Sequence, residues 1–145
     1  SSYMTLLQRI QALVAASCPG WGFEYETQKM MNERADDKAF PCVFFDEYYT
    51  ETDDTTSRYG DKTVATVNIH FLKLADFQCN AVDREALRQE IKAEALLPFV
   101  EAAKASSDFT AVRVIDRSPE PPLFDANAVG ILLRIQFTYP TCFDR

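Results

Sequence analysis

Residues 81–106 read AVDREALRQEIKAEALLPFVEAAKAS, and this run decides the fold. It is built from strong helix formers. Leu87, Ile91, Ala95 and Phe99 recur at four-residue steps, with Leu96, Val100 and Ala103 beside them, so one broad face is apolar. Asn80 can cap the start, while Asp83 and Glu85 suit the positive end of the helix dipole. Pro98 removes one backbone bond and clashes one turn back, which predicts a kink or break there. At about 1.5 Å per residue the run spans roughly 39 Å. The alternating stretches on either side, residues 62–74 and 128–139, would each reach about 40 Å as strands. Helix and strands of matched length point to a layer of helix lying across a long sheet.

Working outward, residues 3–17 predict a first helix. Leu6, Leu7, Ile10, Leu13 and Val14 share a face, and Cys18-Pro19-Gly20 ends it. Trp21, Phe23 and Tyr25 alternate with polar residues as a short strand. Residues 27–39 are polar and without period. Residues 41–49 form an aromatic strand, with Val43 and Phe45 facing one way and Cys42, Phe44 and Asp46 the other, so both faces are expected to be covered at its start. Residues 50–61 read as a long acidic loop. Ala65, Val67, Ile69 and Phe71 then line one face of the next strand, with Thr66, Asn68 and His70 opposite. Residues 109–116 are another strand, and residues 117–127, with Pro119, Pro121 and Pro122, an extended loop. Val129, Ile131, Leu133, Ile135, Phe137 and Tyr139 form one apolar face of the last strand, which Pro140 stops. The expected architecture is one α+β domain over residues 1–145, in the order α-β-β-β-α-β-β. It is a two-layer sandwich, with a mostly antiparallel, twisted sheet and both helices packed on one face.

A chain of 145 residues can bury about two-thirds of its unfolded surface without covalent staples. Fifteen basic and twenty-two acidic residues give a net charge of −7, which argues against tight, sequence-specific binding to nucleic acid. Cys18, Cys42, Cys79 and Cys142 stand singly and are expected as reduced, mostly buried thiols. No leader pattern opens the sequence, and no apolar run approaches the roughly 20 residues of a membrane helix. Synthesis in the cytoplasm, without membrane association, is therefore the expectation.

The chemical templates fail in turn: G-x-S-x-G, G-x-x-x-x-G-K-[ST], G-x-G-x-x-G and H-E-x-x-H are all missing. His70 is the only histidine and could pair with Cys42 or Cys79 as a nucleophile dyad, although a surface or interface histidine is the plainer reading. Asp46, Glu47, Glu51, Asp53, Asp54 and Asp61 could hold a hard cation, or simply be solvated. The expectation is no enzyme, no metal and no cofactor. The Pro-rich stretch at 118–124 is stiff and ends on Leu123 and Phe124, which would either anchor a partner or plug one end of the sheet. These two, with Asp53, Asp54 and Tyr59 of the acidic loop, are the candidate partner-binding residues.

The order of elements carries a resemblance. The run Val67-Asn-Ile-His-Phe-Leu, the long helix, the strand at 109–116, the Pro-Leu-Phe-Asp loop and the strand at 128–139 together resemble the tail terminator and tail completion proteins of long-tailed bacteriophages and prophages. The resemblance is one of topology, without a diagnostic motif, and leaves residues 27–39 and 50–61 without a counterpart. It implies a structural virion protein without catalytic residues. That protein would form a ring, usually hexameric, that caps the tail tube and joins it to neck or head proteins. It would be found in the host cytoplasm during assembly and then in the virion tail. The competing reading is a ligand- or peptide-binding module with a pocket between helix and sheet, lined by Trp21, Phe23, Tyr25 and Phe44.

Overall fold

The computed structural model describes residues 5–26, 40–55, 60–75, 80–120 and 128–141. Helix α1 (Leu6–Ser17) begins with a capping box. The Thr5 hydroxyl accepts from the Gln8 N–H at 3.2 Å, and the Gln8 side chain accepts from the Thr5 N–H at 2.9 Å. Its buried stripe is Leu6, Ile10 and Val14.

The described strands are β1 (Gly22–Glu26), β2 (Cys42–Asp46), β3 (Thr50–Asp54), β4 (Lys62–Leu74), β5 (Ala111–Pro119) and β6 (Ala128–Pro140). They form one sheet in the order β1-β2-β4-β6-β5, with β3 also on β4. Every pairing is antiparallel except β1 with β2. β4 and β6 pair over all thirteen residues, from Lys62 with Pro140 to Leu74 with Ala128. β2 and β3 share the other edge of β4, end to end: Phe45 lies opposite Ile69 and Thr50 opposite Thr66. Ile115 is an extra residue between Val114 and Asp116, a bulge in β5.

The acidic stretch thus corrects the sequence reading, since residues 50–54 are a strand and not loop. Thr50 and Thr52 suit extended backbone, and carboxylates on an edge strand discourage unwanted pairing. Residues 117–119 likewise continue β5. Pro119 is tolerated there because β5 is an edge strand and Pro119 is its last residue.

The second helical run divides into α2 (Ala81–Ile91), a π turn (Lys92–Leu96) and α3 (Leu97–Ala105). Asn80 and Asp83 form the capping box of α2. The expected irregularity is present, but it occupies the turn before Pro98. The Leu97 N–H donates to the Lys92 carbonyl, five residues back. Ile91, Ala95, Phe99 and Ala103 are all fully buried at strict four-residue steps. An α-helix drifts about 40° per such step, so the stripe would wander roughly 120° off the sheet over three steps. One π turn takes in an extra residue and sets the stripe back by about 100°. The buried pattern therefore favours the widened turn, which also holds the Glu94 carbonyl that the Pro98 ring would crowd. Pro98→Ala is accordingly expected to shift stability by less than about 1 kcal/mol in denaturant melts, against about 3 kcal/mol for a proline inside an unbroken helix. A gain near the larger figure would make the proline the cause.

Both helical runs pack on one face of the sheet, as expected, in a two-layer α+β sandwich. The core joins Leu6, Ile10, Ile91, Leu96 and Phe99 to Val43, Val67, Phe71, Ile131 and Ile135. Phe71 meets Phe99 edge-on at 5.8 Å and Trp21 at 6.4 Å. Cys18 and Cys42 are buried and not in a disulfide, in keeping with the reduced, buried thiols expected from the sequence. The Cys18 thiol donates to the Ala95 carbonyl in the π turn at 3.4 Å, and burial pushes its pKa up.

Candidate functional site

Three places collect chemistry. The first is the far face of the sheet, expected to be polar along the long strand but covered at the start of the aromatic strand. It is covered at one end, where Cys42, Phe44 and Leu72 form a second buried cluster. His70 belongs here and is 3% exposed, so the surface or interface reading of this residue is corrected. Its Nδ1 is hydrogen-bonded to the carboxylate of Glu120, itself buried. Phe44 meets the imidazole edge-on at 6.0 Å. Glu120 follows β5 and continues its ladder, its N–H donating to the Gly130 carbonyl at 2.9 Å. Gly130 leaves room here for Leu72 and the Phe71 carbonyl, with Glu120 at ordinary contact distance. A Cβ there would stand 3.5 Å from Glu120 Cγ, 2.3 Å from Leu72 Cδ2 and 2.7 Å from the Phe71 carbonyl oxygen.

His70 Nε2 is buried and has no hydrogen-bond partner among the described residues. Cys42 Sγ is therefore not bonded to it, and the suggested Cys42–His70 dyad is not assembled; Cys79 lies outside the described residues. The four-aromatic pocket is not assembled either. Trp21, Phe23 and Tyr25 pack on the helix side, whereas Phe44 faces the other way. Alternation had already set Phe44 apart from Val43 and Phe45, and the parallel pairing of β1 with β2 fixes the separation.

The second place is the acidic edge. Asp53 and Asp54 lie on β3, all five residues of which are exposed. The Thr63 hydroxyl donates to Asp53 at 2.7 Å, and the Tyr139 hydroxyl to Glu51 at 3.0 Å. Such neutral donors orient carboxylates without removing their charge. Among the described residues, no group of three or more His, Cys, Asp or Glu side chains is placed to hold a metal ion. Leu123, Phe124 and Tyr59 lie outside the described residues; of the five candidate partner-binding residues, Asp53 and Asp54 are described, adjacent on β3.

The third place was not singled out in the sequence. Arg84, Arg88 and Lys92 follow one another at four-residue steps along the second helical run. They face the end of β5 across two adjoining depressions. One, of about 160 Å³, is lined by Glu85, Arg88, Lys92, Arg117, Ser118, Pro119 and Ile131. The other, of about 220 Å³, is lined by Ala81, Arg84, Arg88, Glu120, Ala128 and Val129. Arg88 donates to Glu85 through Nε at 3.1 Å and Nη2 at 2.8 Å. Hydrogen bonds from Gln89 and Arg88 hold the Glu85 carboxyl below the usual carboxylate range. Neither Lys92 nor Arg117 makes an ion pair among the described residues. The cleft therefore carries a local excess of positive charge on a chain whose net charge is −7. The spacing of the helical cations is visible in the sequence, but Arg117 joins them only through the fold.

No family model matches the chain, and no curated protein matches it. Among the described residues no helix is long and apolar enough to cross a membrane.

Proposed function

We propose that this chain is a structural virion protein of the tail terminator or tail completion kind, which assembles into a ring that caps a phage tail tube and meets the neck. The observation that supports this reading most is the pair of unlike sheet edges. β3 is acidic and exposed, and β5 is an outer strand beside a cationic cleft. A closed ring needs each subunit to offer two different, mutually complementary surfaces. Net negative charge around a central channel lets DNA pass without being held, because like charges repel. The ligand-binding alternative loses support because its four aromatic residues are divided between opposite faces of the sheet.

The test is localisation on particles. Antibody raised against the chain is expected to label the head-proximal end of the tail in electron micrographs of purified virions carrying this gene. Virions with complete tails that contain none of the protein by mass spectrometry would overturn the proposal.

A further inference from the structure

We infer that the cationic cleft between α2 and the end of β5 receives the acidic β3 edge of a second copy of this chain, which makes the subunit contact head-to-tail. This inference rests on the assembly reading above and names the surfaces that carry it.

The geometry follows from the strand register. Asp53 lies opposite Thr63 of β4, which lies opposite Tyr139 of β6. Pro119, at the cleft, lies opposite Ile131 of β6. The two surfaces are therefore separated by eight residues along β6, or roughly 27 Å, and by three strand spacings across the sheet, or about 14 Å. They occupy diagonally opposite corners. A surface at one corner cannot meet its complement within the same molecule, whereas the neighbouring copy can present it. The contact is between unlike patches, so it propagates by rotation and closes as a ring when the rotation divides a full turn.

The charges match. β3 offers exposed carboxylates, with Asp53 among them and Glu51 and Asp54 already engaged within the chain, and the cleft offers Lys92 and Arg117, which make no ion pair among the described residues. Guanidinium and ammonium groups recognise carboxylates through charge-assisted hydrogen bonds. Thr63 and Tyr139 pre-orient Asp53 and Glu51, which reduces the side-chain ordering that association requires.

The experiment is a charge swap read by sedimentation velocity and native mass spectrometry at low ionic strength. One variant carries Lys92→Glu and Arg117→Glu; the other carries Asp53→Lys and Asp54→Lys. Each alone places like charges in every contact and is expected to associate about ten-fold or more weakly than wild type. Mixed in equal amounts they restore opposite charges at every contact, and assembly returns with the two variants in equal numbers. Recovery in the mixture also shows that both variants fold. The milder Arg117→Gln and Asp53→Asn substitutions are expected to weaken association in the same direction. Wild-type association is expected to weaken with added salt.

Variants that assemble alone as well as wild type would overturn the inference and leave the ring reading standing. Wild-type protein that stays monomeric at the highest concentrations would also overturn it, while particle labelling separately decides the ring reading. Reversed cleft charges that spare self-association but block incorporation into tails would assign the cleft to a different partner and overturn the second copy as occupant.

Discussion

Phe71→Ala is expected to remove about 3–5 kcal/mol of folding stability, the range for emptying a large aromatic site in a close-packed core. Phe71 is fully buried at the middle of the sheet, opposite Val43 of β2 and Ile131 of β6. Trp21 and Phe99 both present ring edges to it, so it links the start of β1 and the helix α3 to the central strand. No single neighbour can move into the space without leaving a second partner. Urea titration of the variant measures the loss. A Phe71→Ala, Phe99→Ala cycle should give a coupling of about 0.5–1.5 kcal/mol from the ring pair. A single-variant loss under about 1.5 kcal/mol would mean that the site collapses, and would displace Phe71 from the centre of the core.

Gly130→Val should be of comparable size, at about 3 kcal/mol or more, by a different mechanism. Its first added carbon already meets Leu72 Cδ2 at 2.3 Å and the Phe71 carbonyl oxygen at 2.7 Å, and a carbonyl on a paired strand cannot step aside. The branched methyls would also obstruct Glu120 on its way to His70, leaving a second buried polar group without its partner. This gives a signature beyond the size of the loss. Glu120→Ala should cost clearly less in the Gly130→Val background than in wild type, because the pair is already broken there. Full additivity in thermal and denaturant melts would show that Gly130 acts through packing alone.

The layer architecture was legible because apolar periodicity reports burial directly. Residues 62–74 alternate as a half-covered strand, and residues 81–106 carry one continuous stripe. The strict four-residue spacing of Ile91, Ala95, Phe99 and Ala103 held the π turn in plain view, and Pro98 pointed to an irregularity beside it without saying that it is a widened turn and not a break. What stayed hidden depends on partners distant in the chain. The Thr and Asp residues of β3 have no alternation of apolar side chains to mark them as a strand, and only pairing with β4 makes them one. His70 looks like part of a polar face until Glu120, fifty residues on, folds over it. Arg84, Arg88 and Lys92 went unremarked because nothing local places Arg117 opposite them.

Apolar alternation has a blind spot in long antiparallel pairs. Displacing β6 by two positions along β4 keeps every inward residue inward, so hydrophobicity scarcely distinguishes the shifted alignments from the native one. A missing side chain does distinguish them. Leu72 requires the vacancy at Gly130, and a shift in either direction would put Ala128 or Leu132 against it. One hydrogen atom in place of a methyl group thus indexes a thirteen-residue ladder, as a notch indexes a key.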